Sequence, residues 1–140
     1  MWKPILAAFM GTCLFGHVAL AEGTPISKKA QAYIVWPKDG MVIHGGKMWV
    51  RMGLKNAGIA PAGVEKSNTG HHHLIVDSGL PPLDQEIPAD KNHLHFGAGQ
   101  TEVRLELPPG QHTLQLLFAD SGHTPHNPPV YSEKIRITVP

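Results

Sequence analysis

Cysteine is nearly absent. The 140-residue chain has one, Cys13, and it lies in an apolar leader. Met1-Trp2-Lys3 supplies a short positive start, Ile5–Leu20 is mostly apolar, and small residues stand at Ala19 and Ala21, which reads as a signal peptide of residues 1–21 cut after Ala21. The run is shorter than a membrane span and His17 interrupts it, so a retained anchor is the weaker alternative. A lipid anchor on Cys13 is disfavoured because Thr12 stands where a small residue such as Gly or Ala is wanted. Without residues 1–21 no cysteine remains, which excludes a disulfide framework, thiolate metal ligands and cysteine nucleophiles. A transition metal would then have to be held by nitrogen, oxygen or thioether sulfur. The location this implies is periplasmic or secreted.

An excess of charge is missing too. Of the 12 Lys+Arg, Lys3 falls in the leader, so the rest balances the 11 Asp+Glu to a formal charge of zero. That gives no basic patch for nucleic acid and no reason for stable membrane insertion once the leader is cut. Helical periodicity is lacking throughout. After a polar stretch at 22–29, expected to be a flexible leader, residues 30–140 read as one domain of short strands with Pro/Gly turns. Strand candidates are Ala30–Trp36, a short Met41–His44, Lys47–Lys55, His71–Asp77, Thr101–Leu107, Gln111–Ala119 and Ser132–Val139. Asn56–Gly70 reads as a long, functional loop, and Pro108–Gly110 as a hairpin turn. Met48, Val50, Met52 and Leu54 share one face, which reads as core; the methionines become copper(I) donors only if they lie near the histidines. The expected fold is an all-β, immunoglobulin-like β-sandwich of about seven antiparallel strands.

Histidine is what the chain has in abundance: 10 in all, His17 in the leader and most of the others grouped. Thr69–Pro81 carries His71, His72 and His73 at the head of a strand. Further groups are His93 with His95, and His123 with His126. Residues two apart in a strand point to one side, so His71 and His73 share a face and His72 points away. His93 and His95 converge likewise if extended, with His123 and His126 closing over them. The candidate metal ligands are therefore His71, His73, His93, His95, His123 and His126, for copper or zinc, which both suit imidazole. Asp120 is either a carboxylate ligand or an orienting group. His112 reads as a hydrogen-bonded histidine at a strand end, and His44 as an exposed turn residue. Protons compete with metal for imidazole, so binding is expected to weaken as pH falls through roughly 6.5.

The blocks TGHHH, HFGAGQTE and PPGQHTLQLL, within a match from about Ala32 to Val139, resemble a bacterial family of exported domains of unknown function, family 4399. The resemblance implies a small exported domain and lends no reaction. It places histidines at 71, 72, 73, 93, 95, 112, 123 and 126 without choosing ligands among them. A looser similarity, of fold only, is to copper–zinc superoxide dismutase, whose cysteine pair and glycine-rich histidine signature are missing here. The sequence thus favours an exported, histidine-rich metal-binding protein for metal handling. Its partners would be a metal ion and, as an open second, a periplasmic or envelope protein. One alternative is a non-catalytic envelope or adhesion module with structural histidines. The other is a metal-dependent enzyme of superoxide dismutase-like or hydrolytic type, disfavoured because no general acid or base stands out.

Overall fold

A computed structural model describes residues 23–140; the expected signal segment, Cys13 included, lies outside the described residues. Alternating and β-branched stretches become nine strands: β1 Gln31–Trp36, β2 Lys47–Lys55, β3 Gly58–Ile59, β4 Thr69–Val76, β5 His93–His95, β6 Glu102–Glu106, β7 Gly110–Ala119, β8 Pro125–Tyr131 and β9 Ile135–Val139. There is no helix among the described residues. One sheet runs β1-β2-β6, and the other centres on β4 and β7, with β3 and β5 on one side and β8 and β9 on the other. The fold is an all-β sandwich, as the strand pattern predicts, with nine strands rather than about seven and one parallel pairing, β3 with β4.

Four expectations need correcting. Met41–His44 forms no strand; Val42 makes a single bridge to Thr138, because the glycines that follow stop the run. Pro108–Gly110 is no hairpin turn. It carries the chain across the sandwich, since β6 pairs with β2 whereas β7 pairs with β4, β8 and β9. The proline-rich stretch after Asp120 contains β8, at a sheet edge, where prolines are tolerated because the missing N–H faces no partner. Residues 23–29 are tied down rather than loose: Ile26 is in the core, Pro25 bridges Asn127, and Asn56 Nδ2 donates to the Lys29 carbonyl at 2.8 Å.

Strand β4 is buried along both faces from Gly70 to Val76. Its inner face, His72, Leu74 and Val76, meets Leu114, Leu116 and Phe118 of β7 and Met48, Val50 and Met52 of the other sheet. On the outer face Ile75 packs with Leu117, Ala119 and Ile87 beneath the connection between β4 and β5, with Leu80 and Leu83 at its margin. Fully buried Leu74, Leu114, Leu116 and Phe118 each contribute about 1.5–3 kcal/mol. That surplus lets β4 carry buried imidazoles without partners, each costing about 1–3 kcal/mol.

Candidate metal centre

His71 and His73 stand on the outer face of β4, at 0% and 2% exposure. Register brings β5 alongside so that His95 lies directly opposite His73. His123 comes from the tight turn after β7, Asp120–Thr124. The four rings gather: centroids are 4.9 Å apart for His71–His73, 5.0 Å for His71–His95, 5.1 Å for His73–His95, 5.2 Å for His71–His123 and 4.7 Å for His95–His123. His73–His123 is the widest, at 6.1 Å. His71, His95 and His123 each offer a ring nitrogen such that the three lie within 4.8 Å of one another. Nitrogens around a tetrahedral ion with bonds near 2.0–2.1 Å stand about 3.3 Å apart, so small ring rotations close the difference.

The electrostatics favour neutral imidazoles over imidazolium. Both nitrogens of His71 and Nδ1 of His73 are buried with no hydrogen-bond partner. Burial pushes the His71 pKa down to about 4, helped by the neighbouring His95 and His123. His73 is pushed down to about 3, by burial and then by His71, His95 and His123. His95 is exposed yet also lowered, by partial desolvation and by His123. The site therefore has a buried floor on β4 and an accessible rim at His95 and His123.

Each part of the rim has a local cause. The His95 ring lies against Gly97, where a Cβ would collide with the imidazole carbon Cε1. His123 has φ 66°, a left-handed conformation in which histidine is enriched among non-glycine residues. Its turn is closed by Asp120, whose N–H donates to the Thr124 carbonyl at 2.9 Å, while Asp120 Oδ1 accepts the N–H groups of Gly122 and Thr124 at 3.0 Å each. Asp120 Oδ2 accepts the Thr24 hydroxyl at 2.9 Å. Burial raises the Asp120 pKa, but the hydrogen bonds from Thr124, Thr24 and Gly122 outweigh it and hold the carboxyl below its ordinary value. Both Asp120 oxygens are thus engaged, Oδ1 by the turn's own N–H groups and Oδ2 by Thr24. The long 56–70 stretch ties the rim together, Ala62 N–H donating to the Gly97 carbonyl and Gly63 N–H to that of Ser121.

Two of the six candidate ligands stand apart. His93 begins β5 opposite Ile75, and its Nδ1 donates to Asp90 Oδ1 at 2.7 Å, closing the turn at Asp90–His93. His126 stacks on Phe118 at 5.5 Å, and its Nδ1–H donates to the Thr24 carbonyl at 3.1 Å. The chain enters β8 at Pro125, so the three-residue spacing from His123 does not bring the two rings to one point. His72 faces the core, edge-on to Phe118 at 5.2 Å, both nitrogens unpartnered, its pKa lowered to about 4 by burial and then by His71. His112 donates from Nδ1 to Asp77 Oδ2 at 2.7 Å and from Nε2 to the Pro108 carbonyl at 2.8 Å. Two acceptors require the imidazolium, and its pKa is raised, by Asp77 first.

Glu86 is a feature the sequence did not single out. Its carboxylate lies 3.9 Å from His123 Nδ1, and the adjacent Ile87 N–H donates to the His123 carbonyl at 3.0 Å. The connection after β4 that carries it folds back over β4, a long-range contact that sequence spacing does not reveal. The methionines Met41, Met48 and Met52 pack in or on the core between the sheets, on the other side of β4 from His71 and His73.

A small β-sandwich with four imidazoles gathered on one sheet's outer face is the class of protein these observations define. The chain belongs to the family described as a domain of unknown function (DUF4399), whose model matches residues 50–140, a span that includes all four clustered histidines. No curated protein and no solved structure matches the chain.

Proposed function

We propose that the protein binds one divalent transition-metal ion, zinc or copper(II), through His71, His95 and His123 with His73 beside them, and handles that metal outside the cytoplasm. The observation that carries this reading is the grouping of three ligand-competent nitrogens, from His71, His95 and His123, within 4.8 Å of one another, with His71 lacking a hydrogen-bond partner at either nitrogen. Neutral imidazoles crowded together without acceptors are costly by themselves and are repaid by an ion. The all-nitrogen donor set suits zinc or copper(II). Copper(I) would be favoured by thioethers, and the described methionines pack away from this face. The accessible His95 and His123 suit an ion that is taken up and passed on rather than sealed in as a structural bolt.

His93, His112 and His126 follow the structural alternative, each tied to a carboxylate or a carbonyl. The deciding experiment is titration of the purified protein with zinc and copper(II), followed by elemental analysis. The expected result is one ion per chain, bound more tightly than about micromolar, and lost in His71→Ala, His95→Ala and His123→Ala. Binding unchanged in all three variants would sink the reading.

A further inference from the structure

The turn that presents His123 is not self-sufficient. Its Asp120 carboxylate spends Oδ1 on the turn's own N–H groups and reaches with Oδ2 to Thr24, more than ninety residues away in sequence. The Thr24 backbone N–H also points to Oδ2, at 3.4 Å. The Thr24 carbonyl accepts the N–H of Asn127 at 3.1 Å and Nδ1–H of His126 at 3.1 Å. The segment before β1 is therefore laced to both ends of the 120–127 stretch. Gly23 packs so closely on Pro125 that no side chain fits there.

We infer that Thr24 and Asp120 are positioning residues for the metal site, with the Thr24 hydroxyl holding Asp120, and Asp120 holding the turn that aims His123 at His71 and His95. This rests on the metal-site reading and adds that the affinity of that site is set partly by the segment before β1, which lies outside the family-matched residues. The physical argument is the fixed geometry a metal demands of its ligands. A left-handed φ at His123 keeps its place only while the surrounding bonds determine it. Two other anchors on the turn, Gly63 N–H to the Ser121 carbonyl and Ile87 N–H to the His123 carbonyl, are backbone bonds that a Thr24 substitution leaves in place. Removing the hydroxyl should therefore loosen His123 without dissolving the turn. Loss of an orienting partner behind a ligand typically costs about 10–100-fold in metal affinity.

The test compares Thr24→Val, which keeps the shape and removes the hydroxyl, with Thr24→Ser, which restores it. The metal-free protein is examined first, by nitrogen–proton correlation spectra of the histidine rings. Thr24→Val should broaden or shift the His123 ring signals while leaving those of His112 and His93 in place, and Thr24→Ser should restore them. Copper(II) is then titrated: Thr24→Val should bind about tenfold or more weakly, with an altered copper(II) paramagnetic resonance spectrum, and Thr24→Ser like the parent. Unchanged His123 signals together with unchanged affinity in Thr24→Val would overturn the inference while leaving the metal site standing. A uniform disturbance of every histidine, or no recovery in Thr24→Ser, would mark Thr24 as merely structural and equally overturn it. A parent protein that binds neither copper(II) nor zinc would remove the metal reading and this inference together. Should Thr24→Val not fold, Thr24→Ala is read in the same way, because it too removes the hydroxyl that Asp120 Oδ2 accepts.

Discussion

His72 and His71 are neighbours in one strand and illustrate how differently two buried imidazoles can be placed. Both are fully buried and both lack hydrogen-bond partners, but His71 faces three other imidazoles and His72 faces Phe118. Replacing His72 by Leu removes two unsatisfied nitrogens from an apolar setting, and a change of this kind is neutral or stabilising. The expected result is a urea midpoint equal to or above the parent's, with zinc and copper(II) affinity unchanged. His71→Ala should cost more than about a hundredfold in affinity, beyond the loss seen for orienting groups. His93→Ala, His126→Ala and His44→Ala should each leave most of the affinity intact. Isothermal titration of the set measures this directly.

Burial also moves the pH window. The unfolded chain takes up protons on His71, His72 and His73 near 6.5, whereas the folded chain resists until about 4, 4 and 3. Their lowered values mean stability that is full above 6.5 and lost as pH falls from there towards 4. The loss arises because the unfolded chain binds protons at these imidazoles that the folded chain refuses. Metal-free protein should thus unfold at lower urea at pH 5 than at pH 7, and bound zinc should widen the gap, because it keeps its ligand nitrogens unprotonated and binds more weakly in acid. Proton competition at His71 and His73 falls well below the 6.5 that unperturbed histidines suggest. His112 has the opposite sign. Its raised value gives stability that is present below 6.5 and lost as pH rises through the folded value, so His112→Asn should destabilise most in acid and least at pH 9.

At the scale of strands and turns, two contacts set the rim. Gly97 leaves room for the His95 ring, so Gly97→Ala should push that ring aside and weaken metal binding about tenfold with a smaller change in thermal stability, read by titration beside a melting curve. What the sequence made legible here follows from periodicity. The i, i+2 rule puts His71 and His73 on one face, and the alternation in β2 marks its core side. What it hid has physical causes. β8 carries three prolines and looks like a loop, because an edge strand tolerates what a central one does not. The rule that chain neighbours pair, usually sound, makes β6 and β7 look like a hairpin, while the chain crosses between sheets. His93 and His126 look like ligands because spacing says nothing about Asp90 or Thr24, the partners that hold them elsewhere.

For the whole molecule, the sandwich supplies the rigidity on which the proposed metal face rests. Strands β4 and β7 lie at the centre of the larger sheet, with the core on one side and the covering connection on the other. Ligands rooted on such strands are held more precisely than ligands on loops. That accounts for a division in which β4 and β5 carry His71, His73 and His95, and only His123 comes from a turn. The account stands or falls on whether those imidazoles surround one ion. X-ray absorption at the zinc edge, on protein loaded with one equivalent, tests this most directly. The account predicts nitrogen neighbours at about 2.0 Å with the outer-shell scattering of at least three imidazole rings, reduced by one ring in His95→Ala. A shell of water oxygens alone, or a ring count unchanged in His95→Ala, would contradict it.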